Sequence, residues 1–69
     1  MNDAQPAAGR LTIHDRETYL ESYPGRTLAI GATVDVIRGN GPREGDRMGT
    51  ATITGYDDGG PILDVHFRQ

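Results

Sequence analysis

Two stretches of alternating side chains near the C-terminus, separated by a run of turn formers, constrain this chain more than any other feature. In Gly49-Thr50-Ala51-Thr52-Ile53-Thr54-Gly55-Tyr56 the threonines point one way and Ala51, Ile53 and Gly55 the other. In Ile62-Leu63-Asp64-Val65-His66-Phe67 the apolar face is Leu63, Val65 and Phe67. Period-2 alternation is the mark of a half-buried strand, and Asp57-Asp58-Gly59-Gly60-Pro61 between the two supplies the turn. The pattern predicts an antiparallel hairpin over residues 49–67. Matching large against small selects a register: Ile53 opposite Val65, Phe67 opposite Ala51, Leu63 opposite Gly55. A slip of one residue would turn the whole apolar set to water. This register makes residues 57–61 a five-residue loop. On the outer face it sets Tyr56 beside Ile62, Thr54 beside Asp64 and Thr52 beside His66.

Upstream, Leu11-Thr12-Ile13-His14 alternates briefly and reads as a strand. Asp15 can cap a helix over residues 16–23, where Tyr19, Leu20 and Tyr23 share a face; a strand is the alternative, because Thr and Tyr favour strands. Pro24-Gly25 ends that segment. Residues 27–30 read as a short strand interrupted by Gly31, and residues 32–38 as a clear one. Residues 39–47 are dense in turn formers and read as a loop. The expected core is Leu11, Ile13, Leu20, Leu28, Ile30, Val34, Val36, Ile53, Leu63, Val65 and Phe67.

A chain of 69 residues is one domain. Residues 1–9 are small and polar and read as a flexible tail, leaving 10–69 as a single small β-rich domain. A domain of this size buries only about 60% of the surface its unfolded chain exposes, and such domains commonly add disulfides, a metal or a partner subunit. With no Cys, disulfides and thiolate chemistry are excluded, and the two His do not make a metal cluster. A protein partner or homo-oligomer is the expected supplement. No cofactor is expected. No apolar run nears the ~20 residues that span a bilayer, and the first residues lack a basic stretch followed by an apolar core. No membrane partner is therefore expected, and the cytoplasm is the expected address. Net charge is −3, and all seven basic residues are Arg. The acidic balance disfavours non-specific nucleic-acid binding, which phosphate neutralisation drives, while leaving room for a local basic patch.

Strands joined by Gly-rich loops suggest a meander closing into a small barrel. From Gly31 onward the chain resembles small SH3-like barrels, including the KOW type, through Gly31, Val34, Val36, Ile37 and Gly39, then Gly45, Gly49 and Ile53, then Val65 and Phe67. The resemblance covers about residues 31–67 and implies a mostly β fold, an SH3-like barrel or open β-roll; the residue pattern adds to it either one short helix or a strand near residues 16–23. Little sequence follows Phe67, so a final strand is expected from the N-terminal segment or from another chain.

No constellation demands catalysis. The loop at 39–49 lacks the Gly-Lys-Ser/Thr of a phosphate cradle and leads into a strand rather than a helix. Asp57-Asp58-Gly59-Gly60 lacks the spaced ligands of a calcium loop. Ser22, the only serine, is not in a nucleophile elbow. Asp64 and His66 share a strand face at a spacing that suits two ligands or an acid–base pair, but exposed strand residues are commonly neither. The leading expectation is a non-catalytic protein-interaction module or small accessory subunit, using Tyr56, Ile62, Thr54, Asp64, Thr52 and His66 on the outer hairpin face together with the 39–47 loop. The alternative is a nucleic-acid-binding domain using Arg38, Arg43 and Arg47, which fall in or beside that loop. A small oligomeric enzyme or enzyme subunit is a further alternative.

Overall fold

The computed structural model describes residues 6–68 and contains five strands and no helix. They are β1 (Gly9–Ile13), β2 (Thr18–Ser22), β3 (Thr33–Arg38), β4 (Arg47–Asp57) and β5 (Gly60–Phe67). All five lie in one curled sheet of order β2-β1-β3-β4-β5, a half-barrel with β2 and β5 as its edges. The architecture is compatible with an SH3-like fold. It is not a meander throughout. The chain returns from β2 past β1, so that β1 pairs in parallel with β3 while every other pair is antiparallel.

Residues 16–23 are not helical. Asp15 and Arg16 make the bend of a β-hairpin, closed by the His14 amide donating to the Glu17 carbonyl at 2.8 Å. Strand β2 then sets Leu20 opposite Leu11. An extended β2 satisfies the backbone of β1 on its second side, which an isolated two-turn helix could not do. Residues 27–30 are not a strand either. Gly31, at φ 93°, and the bond from the Ala32 amide to the Ala29 carbonyl turn the chain there. Leu28 still packs on the core, but Ile30 is 67% exposed rather than buried. At the other end of the chain, residues 1–5 of the expected tail lie outside the described residues, whereas Ala8 is buried and Gly9 opens β1.

The hairpin exists, but its register lies two residues from the expected one. Phe67 stands opposite Gly49, Val65 opposite Ala51 and Leu63 opposite Ile53. A shift of two preserves the facing of each side chain, so Leu63, Val65 and Phe67 stay on the inner face. What selects this register is close approach at Gly49: a Cβ there would collide with the carbonyl oxygen of His66 and lie 2.8 Å from the Cα of Phe67. The expected five-residue loop contracts to a turn at Asp58-Gly59, because Asp57 pairs directly with Gly60. The Asp57 carboxylate accepts from the Gly59 amide at 2.8 Å, and Gly60 adopts φ 117°, a conformation that side chains resist. A β-bulge at Thr54 absorbs the odd residue, since Ile53 pairs with Leu63 but Gly55 pairs with Ile62.

The core is small. Val34, Val36, Ala51 and Ile53 are fully buried, with Leu11 and Ala8 nearly so. Each of the larger ones contributes about 1.5–3 kcal/mol by leaving water. Ile13, Leu20, Leu28, Met48, Leu63 and Val65 pack around them only partly buried. Phe67, expected inside, is 56% exposed, because it sits on the outermost strand with nothing beyond it.

Candidate functional site

The half-barrel ends in an open rim. Strand β5 is an eight-residue edge. The Arg68 amide donates to the Met48 carbonyl at 2.7 Å. Backbone groups alternate in direction along an antiparallel strand, so Asp64 and His66 also turn their N–H and C=O toward β4. Leu63, Val65 and Phe67 turn theirs outward, and among the described residues none of those outward groups has a backbone partner. The inner side chains at this edge, Leu63, Val65 and Phe67, are partly or largely exposed.

The outer-face residues expected to bind are dispersed by the register and the bulge. Asp64 lies opposite Thr52, and His66 opposite Thr50. Asp64 and His66 bond each other at 2.9 Å. Thr54, unpaired in the bulge, donates to the Ile62 carbonyl at 3.3 Å. Ile62 faces Gly55, and Tyr56 pairs with Pro61 instead of standing beside Ile62. The bulge reverses the phase of β4, and the Tyr56 hydroxyl donates to the carbonyl of Leu28, tying the 26–32 loop to the hairpin. His14 does not approach Asp64 or His66, because β3 and β4 intervene between β1 and β5. Instead it meets Tyr19 edge-on, with ring centroids 5.4 Å apart. Among the described residues no group of three or more His, Asp or Glu could hold a metal ion.

The rest of the outer face is laced by ion pairs that follow from the strand order. β1 lies between β2 and β3, which brings Arg10 within 2.5 Å of Glu21 and raises the guanidinium pKa through that hydrogen bond and charge. Asp35 on β3 accepts from Tyr23 at 3.3 Å and meets Arg47 at 3.2 Å. Burial, then the Asp35 charge, pushes the Tyr23 phenol up.

The three loop arginines do come together. The Gly45 amide bonds the Arg38 carbonyl, and the Arg38 amide bonds the Asp46 carbonyl, which folds the loop back on the end of β3. Arg38, Arg43 and Arg47 then line one depression with Arg68, Met48, Phe67 and a single acid, Asp46. Four of the chain's seven arginines are gathered there, although the whole chain is acidic. Arg47 is partly engaged by Asp35. Among the described residues, no carboxylate lies in ion-pair range of Arg38, Arg43 or Arg68. Sequence reasoning missed Arg68 and Phe67 as members of this group. The signal was their adjacency at the end of a strand that returns toward the 39–47 loop, but only the register, which sets Phe67 opposite Gly49 and the Arg68 amide on the Met48 carbonyl, places them beside it. Comparison with known proteins finds no matching family model, no matching curated protein and no matching solved structure.

Proposed function

We propose that this protein is a non-catalytic interaction module that receives a protein segment along the free edge of β5. The observation that carries the reading is that edge itself: eight residues long, unpaired on its outer side, and flanked by apolar side chains that the domain covers only in part. Free edges invite pairing and are normally blunted by shortness, Pro, Lys, bulges or inward-facing charges. Here Pro61 stands only at the start, residues 62–67 contain neither Pro nor Lys, and the bulge is on β4. Strand addition would supply main-chain bonds for affinity, with alternate side chains reading specificity. Capture from a nuclease-treated native lysate tests it, comparing wild type with Phe67→Ser. A protein retained by wild type and lost from a variant of unchanged melting temperature supports the reading. Retention indifferent to Phe67, or lost on nuclease treatment, refutes it.

The Arg-lined depression favours a second reading, a nucleic-acid contact of the kind KOW-type barrels suggest. Arginines can hold phosphates while Phe67 offers a face for a base. Retention of an RNA or DNA pool should fall with salt and fall further in Arg38→Ala/Arg43→Ala. Equal retention by that variant would end this reading.

A further inference from the structure

We infer that the segment received by β5 is β5 of a second copy of this chain, paired antiparallel about a two-fold axis through Val65. This rests on the edge-pairing reading above and names its partner. The argument begins with which backbone groups are free. Leu63, Val65 and Phe67 direct their N–H and C=O away from β4. A two-fold axis through Val65 makes each Val65 exchange both hydrogen bonds with its counterpart. Each Leu63 does the same with Phe67 of the other copy. The inner faces of the two half-barrels become continuous, and the exposed Phe67 gains an apolar neighbour in Leu63.

The side chains on the outer face choose the same axis. Between the hydrogen-bonded pairs lie non-hydrogen-bonded positions, where side chains approach most closely. With the axis at Val65 these set Asp64 against His66 of the second copy, twice, a carboxylate that accepts against an imidazole that can donate, and such complementary cross-strand pairs are favourable. In the single chain Asp64 and His66 are already in contact at 2.9 Å and both remain more than 60% exposed, so two such pairs can meet as a four-membered cluster. Moving the axis to Asp64 would oppose two carboxylates. Moving it to His66 would oppose two imidazoles. Moving it to Leu63 would set Pro61, which has no N–H, at a hydrogen-bonding position against Val65. The other edge is a poorer candidate: β2 has five residues, and its Glu21 is held by Arg10 on its own sheet.

The experiment uses the full chain, which has no cysteine of its own. Sedimentation of the purified wild type over the micromolar range should show a monomer–dimer equilibrium. Asp64→Lys should raise the dimer dissociation constant by about tenfold, because it removes two carboxylate–imidazole pairs and sets an ammonium against each imidazole in their place. Asp64→Cys and His66→Cys proteins are then mixed and mildly oxidised. Residues opposite each other at a non-hydrogen-bonded position have Cα atoms about 4.5 Å apart, within disulfide reach. Identical positions lie roughly 8 Å apart in this register, given a rise of ~3.4 Å per residue, beyond that reach. The expected product is the mixed disulfide, with neither variant cross-linking to itself. Self-linking of Asp64→Cys or of His66→Cys reports an axis at 64 or 66 and overturns the assignment. A monomer at every concentration that still captures another protein in a Phe67-dependent way overturns the second copy as occupant and leaves the edge-pairing reading standing. A monomer that captures nothing overturns both.

Discussion

The register of β4 against β5 can be tested by adding one methyl group. In Gly49→Ala the new Cβ would collide with the carbonyl oxygen of His66 and lie 2.8 Å from the Cα of Phe67. Both are backbone atoms of the paired strand, so no rotamer change relieves the clash and the strands must separate locally. Overpacking of this kind costs about 1–3 kcal/mol. Replacing Gly also restricts the unfolded chain, a gain of about 0.4–1 kcal/mol. The net expectation is a loss of about 1–2 kcal/mol. For a domain of this size that lowers the melting temperature by roughly 4–16 °C. It is a large share of a total stability of about 3–10 kcal/mol for 69 residues. Gly55→Ala is the paired control, because its Cβ would meet only the Cδ1 of Ile62, at 3.9 Å, an ordinary contact. It should leave the melting temperature unchanged or slightly raised. Thermal unfolding by circular dichroism measures both. Had the strands paired with Ile53 opposite Val65, Gly55 would face Leu63, and Gly49 would lie outside the close-packed pairs. Gly55→Ala would then be the damaging change. A melting temperature for Gly49→Ala at or above that of wild type refutes the close-approach argument.

Two further predictions concern the core and the outer face. Ile53→Ala should cost about 2–5 kcal/mol, since Ile53 is fully buried, whereas Ile30→Ser at its exposed turn should change stability by no more than about 0.5 kcal/mol; urea denaturation giving equal losses for the two would contradict the burial pattern. Burial and Asp35 raise the Tyr23 pKa, so the folded state holds that proton more tightly than the unfolded chain. Its contribution is complete below the ordinary phenol value of about 10 and is lost as pH rises through the raised folded value. Tyr23→Phe should therefore flatten the alkaline decline in stability, with Tyr19, raised by its bond to Glu17, retaining its own share. An identical decline in wild type and variant would remove the assignment.

Local alternation was enough to settle which side chains of residues 49–53 and 63–67 face inward, because a strand's period of two is written residue by residue, but the bulge at Thr54 reversed the phase at Gly55 and Tyr56. It also placed β3 and marked Val34, Val36 and Ile53 as core. It could not distinguish registers that differ by two residues, since these bury the same face; the contact of Gly49 with the backbone of β5 decided that. Residues 18–22 carry too few side chains to separate one helical face from one strand face, and they became β2 because β1 offered an unsatisfied edge. The arginines at 38, 43 and 47 were visible as neighbours in the chain. That Arg68 and Phe67 join them, and that β5 is left with an open side, follow from strand order, and strand order is set by contacts between residues far apart in sequence, which no local pattern records.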